Sequence, residues 1–224
     1  MNTKKLILTI LISIIISIII ILIGYTIKKN NSGVDTKYTN NTKSIYAKDG
    51  KKYKVHNFND ASDAANALAE INAVMVNLIA HLKYKYVGRG YEKNAFVSNY
   101  DKISAVNNIL NRYNPDNLVE NSPHDKKDTS YTLNKGSTIA FCLREKNASG
   151  DLHDINTLIF VAIHELGHIA IDDNDHPPLF WKIFKWLLQE AELGNIYFSK
   201  DYQKDPVKYC GMGVNYNPLY DDSV

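Results

Sequence analysis

Hydrophobic and polar positions divide the chain into three stretches of different character. From Leu6 to Ile23 every residue is apolar except Thr9, Ser13 and Ser17, and the run extends to Ile27. As a helix those 22 residues span roughly 33 Å at about 1.5 Å per residue, enough to cross a hydrocarbon core of about 30 Å. The run is too long for the apolar region of a signal peptide, and no small-residue cleavage site follows it. It therefore predicts one uncleaved transmembrane helix in residues 1–27, with membrane contact through residues 6–27. Residues 28–50 are rich in Asn, Lys, Ser, Thr and Gly and read as a polar tether. Residues 51–224 carry the periodicities of one folded domain.

Within that domain the spacing predicts a helix from Ala61 to Tyr86, with Asp60 as N-cap. Its apolar stripe is Ala64, Leu68, Ile71, Met75, Leu78 and Leu82, alternating four- and three-residue steps along one helix face. Too few heptads and too few flanking charges are present for a partner coiled coil, so the stripe is expected to face the core. Gly88 and Gly90 are expected to end the helix. A second helix is expected over Ser98–Tyr113, with Ile103, Val106, Ile109 and Leu110 inward and Asn114-Pro115 as its stop. Short strands are expected at Tyr53–Phe58, Ser130–Leu133 and Ser137–Arg144, the last two joined by the turn Asn134-Lys135-Gly136. Two more helices follow. One opens at Asp154 and the other after His176-Pro177-Pro178, since proline is favoured in a helix's first turn.

Charge excludes some functions. Residues 28–224 hold 24 basic and 24 acidic side chains, which gives no broad nucleic-acid-binding surface. The balance is uneven along the chain: residues 28–128 carry 16 basic and 11 acidic groups, residues 129–224 carry 8 and 13. The more basic first part is a candidate for contact with anionic lipid headgroups. Lys28, Lys29, Lys37 and Lys43 outnumber Lys4 and Lys5 around the apolar run, which favours the C-terminal domain on the cytoplasmic side. Cys142 and Cys210 are too few for a disulfide framework and are read as free buried thiols, without bearing on the redox compartment.

The chemistry concentrates at His164-Glu165-Leu166-Gly167-His168, at the end of the apolar stretch Leu158–Ile163. On a helix the two histidines lie one turn apart on one face and can share a metal ion. Glu165 can then reach a water on that metal without ligating it. Two imidazoles suit Zn²⁺, which in catalytic sites takes three protein ligands and keeps one position open. His176 is the favoured third ligand, because the loop before Pro177-Pro178 can fold it back to the metal. One of Asp172, Asp173 or Asp175 is the runner-up, because carboxylates also bind zinc. A metzincin spacing is excluded, since Ile171 and Asn174 occupy its Gly and His positions. Stabilising the oxyanion of peptide hydrolysis needs a further donor, for which Tyr209 and His153 are candidates. Ile139–Leu143 is the candidate edge strand for pairing with extended substrate.

The order His164-Glu165-x-x-His168, then His176 followed by Pro-Pro-Leu-Phe-Trp, resembles the SprT/WLM group of zinc metallopeptidases. The similarity is closest to uncharacterised zincin-like proteins of large DNA viruses and runs roughly from Pro115 to Pro218. The zinc motif with its following His is its only specific part. The motif also resembles, more distantly, the ImmA/IrrE type of peptidase. The resemblance implies a zincin-like α+β fold: a small mixed sheet, an active-site helix bearing the motif, and scaffold helices. It implies His164, His168 and His176 as zinc ligands and Glu165 as general base. SprT/WLM relatives often act on DNA-crosslinked proteins. This chain lacks their basic excess and second zinc module and adds an apolar anchor, so that role is not carried over.

The expected function is therefore a membrane-anchored zinc metallopeptidase, acting on a peptide or protein substrate at a host or virion membrane. The alternative is an anchored zinc-binding structural or interaction protein. A purely structural site would have no need of Glu165 and would tend to close with four protein ligands.

Overall fold

The computed structural model describes residues 41–87, 100–122, 129–147 and 150–224. The expected transmembrane helix in residues 1–27, the tether up to residue 40 and the stop at Gly88 and Gly90 lie outside these. Asn41–Val224 form one compact unit that contains the whole described core.

The chain order is β1 (Thr42–Tyr46), β2 (Lys52–His56), α1 (Ala61–Tyr86), α2 (Tyr100–Arg112), β3 (Leu118–Glu120), β4 (Tyr131–Leu133), β5 (Thr138–Phe141), α3 (Ile155–Ala170), α4 (Pro178–Leu193), β6 (Val207–Tyr209) and β7 (Met212–Val214). The fold is α+β. Five strands form a mixed sheet in the order β1-β2-β3-β5-β4, while β6 and β7 pair only with each other. β1 is antiparallel to β2 and β4 to β5, whereas β2, β3 and β5 run parallel.

β1 corrects the tether's far boundary. Its five residues pair with β2 in full register from Thr42↔His56 to Tyr46↔Lys52, so the folded unit begins at Asn41 and not at residue 51. The strand was hidden because only Ile45 is a large apolar residue turned inward, opposite buried Tyr53. The substrate-pairing role expected of Ile139–Leu143 is also corrected. β5 is flanked by β3 and β4, and β4 is the outer strand among the described residues.

α1 has the bounds its periodicity predicts. All six stripe residues are fully buried, each large one stabilising the fold by roughly 1.5–3 kcal/mol. Among the described residues α1 alone is long and apolar enough to cross a membrane, and burial of its stripe in the core accounts for that apolarity. Asp60 stands at its N-cap position, but makes no side-chain cap bond. Its carboxylate instead meets Arg144 Nη1 at 2.7 Å. Arg144 also donates to Glu120 Oε1 at 2.8 Å, and Glu120 accepts from the His56 backbone N–H. This buried network ties the end of β2, the start of α1, β3 and the segment after β5 together. At the other end of α1, buried Glu190 of α4 accepts from Lys85 and from the Tyr86 hydroxyl and pins α4 to α1.

Candidate metal centre

The helix α3 is fixed at both ends. At its start the Asp154 carboxylate accepts from the Thr157 N–H at 3.1 Å, as the sequence predicts. Leu158, Ala162, Ile163, Leu166 and Ile169 are fully buried and hold the helix axis in place. At its end, Asn108 Nδ2 donates to the Ala170 carbonyl at 2.8 Å. Arg112 Nη1 donates to the carbonyls of Ile169 and Ile171 at 3.1 and 3.3 Å. Two residues of α2 thus satisfy carbonyls that a helix leaves open at its C-terminus. Arg112 also pairs with the Asp172 carboxylate, and Lys135, in the turn after β4, donates to the Asp173 carbonyl. The loop from 171 to 177 is gripped from two sides and folds back, and Pro178 then opens α4 with Pro177 at its N-cap.

This fold-back brings three imidazoles together. His168 Nε2 lies 3.3 Å, and His176 Nε2 3.0 Å, from His164 Nε2. One ligand nitrogen from each of the three falls within 4.8 Å of the others. Two nitrogens each at a zinc–imidazole bond length in a tetrahedral site are about 3.3 Å apart, so the donor set fits such an ion. The third member is His176; Asp172 is engaged by Arg112, and none of the three aspartates joins the cluster. Burial pushes His164 down to about 3, with His168 and His176 adding repulsion. Burial likewise pushes His168 down to about 4 and lowers His176. All three are neutral near pH 7, the state in which imidazole ligates a metal.

Aromatic rings of α4 back the cluster. Phe180 stacks on His168 with ring centres 4.5 Å apart and meets His164 and His176 edge-on. Phe184 also packs on His164, and Trp181 on His176. The Gly between the motif's Leu and its second His allows this approach. A Cβ at Gly167 would stand 3.0 Å from Phe180 Cε2.

Glu165 is buried beside the cluster and accepts from the Thr132 hydroxyl of β4 at 2.9 Å. Burial pushes its carboxyl up to about 7, against the Thr132 hydrogen bond. His164, Glu165, His168 and His176 open into one cavity of about 550 Å³. The cavity is also lined by Tyr131, Thr132 and Leu133 of β4 and by Tyr209, Met212 and Val214 of the β6–β7 hairpin. The two oxyanion candidates separate here. Tyr209 lines the cavity, its hydroxyl 2.5 Å from Ser130 Oγ. His153 is outside the lining; it accepts from the Cys210 N–H at 3.0 Å and supports the hairpin.

Cys142 and Cys210 are not free thiols. They form a disulfide closing a sequence separation of 68 residues, which fastens the β6–β7 hairpin to the end of β5. The hairpin turns at Cys210 and Gly211, both at positive φ, 52° and 80°, the two-residue turn that matches strand twist.

The relatives of the chain bear on this site. Uncharacterized protein R325 of Acanthamoeba polyphaga mimivirus is 36% identical over 165 residues, covering 74% of this chain and 78% of the relative. The chain belongs to the R325 family. Two shorter matches are to proteins of Invertebrate iridescent viruses. Protein 136R of virus 6 is 37% identical over 46% of this chain and 56% of its own length. Protein 042R of virus 3 is 38% identical over 47% and 60%. The expected kinship with proteins of large DNA viruses is thereby established. No family model matches the chain, and no solved structure matches it.

In this R325-family chain, sequence reasoning missed Arg112, Asn108, Lys135 and Thr132. They act on the site from α2, from β4 and from the turn after β4, each 33 or more residues away in sequence from the group it holds. The Pro-Pro-Leu-Phe-Trp after His176 did carry a signal through the resemblance, and its Phe180 packs on the histidines beside Gly167.

Proposed function

We propose that this R325-family protein is a zinc metallopeptidase, anchored in a membrane through residues 6–27 and hydrolysing peptide bonds in peptides or proteins. One observation carries the reading. Three neutral imidazoles converge beside a buried carboxylate in a cleft walled by an outer β-strand. A motif-bearing helix beneath the edge of a mixed sheet is also the arrangement that the SprT/WLM and zincin resemblance implies. A site of purely structural use would need neither Glu165 nor the open cavity.

His164, His168 and His176 would hold the ion. When bound, zinc supplies a Lewis acid that acidifies water and polarises a carbonyl. Glu165 takes the proton of the attacking water and passes it to the leaving amine. Thr132 holds the Glu165 carboxylate by its hydrogen bond, and the Tyr209 hydroxyl, which lines the cavity, is a candidate donor to the developing oxyanion. β4, the outer strand of the sheet among the described residues, would pair with an extended substrate by strand addition. Leu133, Met212 and Val214 favour an apolar side chain near the scissile bond.

Zinc content of purified residues 41–224 tests this reading. About one ion per chain is expected, lost or sharply weakened in His164→Ala, His168→Ala and His176→Ala. A folded wild-type domain without zinc overturns it. Arg112 provides a second test. Because it holds the loop that delivers His176, Arg112→Ala is expected to weaken zinc binding about 10-fold or more, as loss of ligand-supporting contacts does. The readout is competition with a chromogenic chelator. Unchanged affinity in a folded variant would show that the loop closes without it.

A further inference from the structure

The β1–β2 hairpin concentrates positive charge at the sheet edge opposite the cleft. Residues 41–56 contain Lys43, Lys48, Lys51, Lys52 and Lys54 against one acid, Asp49. The register sorts them by face. Ile45↔Tyr53 and Lys43↔Val55 share the side that packs on α1, whereas Ser44↔Lys54 and Tyr46↔Lys52 share the outer side. Lys52 and Lys54 are exposed there, and Lys48 and Lys51 are exposed around the turn. The turn lysines have acidic neighbours, Lys48 with Glu70 at 2.8 Å and Lys51 with Asp116 at 3.6 Å. On the outer face Lys52 Nζ lies over the Tyr46 ring at 4.7 Å, and that ring is 68% exposed.

An exposed tyrosine flanked by lysines suits the headgroup layer of a bilayer. The amphipathic ring settles at the interface, and the ammonium groups meet anionic phosphates and carboxylates. The sequence puts such a layer within reach. The apolar run ends at Ile27, and the 13 residues from 28 to 40 span at most about 45 Å when extended. Across the sheet, β1 and β4 are four strand spacings apart, roughly 19 Å at about 4.8 Å each.

We propose that the outer face of the β1–β2 hairpin binds an anionic membrane surface through Tyr46, Lys52 and Lys54, four strand spacings along the sheet from β4. This contact is separate from the apolar anchor and independent of the chemistry assigned to the cleft. A nucleic acid is the less suited partner, because the face is only two strands wide and the domain as a whole carries no basic excess.

The test uses residues 41–224, which hold the whole described core, in co-sedimentation with phosphatidylcholine vesicles with and without phosphatidylserine. The domain is expected to bind only the phosphatidylserine vesicles, and less as salt rises. Each lysine near such a surface contributes about fivefold to partitioning, so Lys52→Glu with Lys54→Glu is expected to lower binding by roughly 25-fold or more. Tyr46→Ala is expected to weaken it less. Thermal unfolding checks that these exposed changes leave the fold intact. Failure to bind phosphatidylserine vesicles, equal binding by the double variant, or preference for duplex nucleic acid at the same salt each overturns the proposal.

Discussion

Replacing Glu165 with Gln is expected to lower kcat for peptide cleavage by about 10²–10⁴-fold and to leave zinc content near wild type. The substitution keeps the shape of the side chain and an oxygen that can accept from Thr132, now 2.9 Å away. It removes only the capacity to take a proton. A metal effect alone would change zinc content, and a packing effect alone would change stability in the unfavourable direction. The opposite is expected for stability. In the metal-free domain burial raises the Glu165 carboxyl from 4.5 to about 7. A folded pKa above the unfolded one means that the stabilising contribution is complete below about pH 4.5 and lost as pH rises through about 7. The metal-free Gln variant carries no such charge. It should therefore unfold at a higher temperature than wild type at pH 8, and the two should converge towards pH 4.5. Full cleavage by the Gln variant would remove Glu165 from the chemistry, whatever the zinc content.

The second large effect is expected from the disulfide. Closing a loop with a sequence separation of 68 residues removes unfolded-state entropy worth about 4 kcal/mol at 25 °C in the chain-entropy model. Cys142→Ser combined with Cys210→Ser should lower unfolding stability by roughly 2–4 kcal/mol, read from the midpoint in urea. Cleavage should fall as well, through a raised KM, because Tyr209, Met212 and Val214 lose the covalent tie that holds their part of the cavity lining. Equal stability of the serine pair and wild type would show that the His153 and Ser130 contacts alone secure the hairpin. The bond also bears on topology. Disulfides persist in oxidising compartments and are rare in the cytosol, whereas the lysine count around the apolar run favours the cytoplasmic side. The two signals conflict, and protease protection of the full chain in sealed membranes decides between them.

Much of the helical part was legible because helices are local. The alternating three- and four-residue steps from Ala64 to Leu82 mark the body and inward face of α1, and Asp154 and Pro178 mark the starts of α3 and α4. The motif and His176 were legible for the same reason, since their spacing is read along one stretch of chain. The strands were harder. β3 and β4 are three residues each, too short for alternation to be counted, and β1 reads as polar linker. The β6–β7 hairpin left a signal that went unused: Cys210-Gly211 between Tyr209 and Met212, an X-Gly turn between short flanks. The disulfide was not legible, because nothing in the spacing of two cysteines says that their backbones meet. The place of His176 just before Pro177-Pro178 did favour it over the neighbouring aspartates. The contact by which Arg112 draws Asp172 aside was not legible, because it joins residues 60 apart.

The brevity of β4 has its own consequence. Three residues offer a ladder of about 10 Å, so a chain added to that edge is gripped over few peptide units. If the proposed strand addition holds, such a grip would demand that the target be locally extended more than that it carry a particular sequence. Choice among targets would then follow from which segments are already unfolded and within reach of the tether. The same short edge gives two copies of the domain little length along which to zip together.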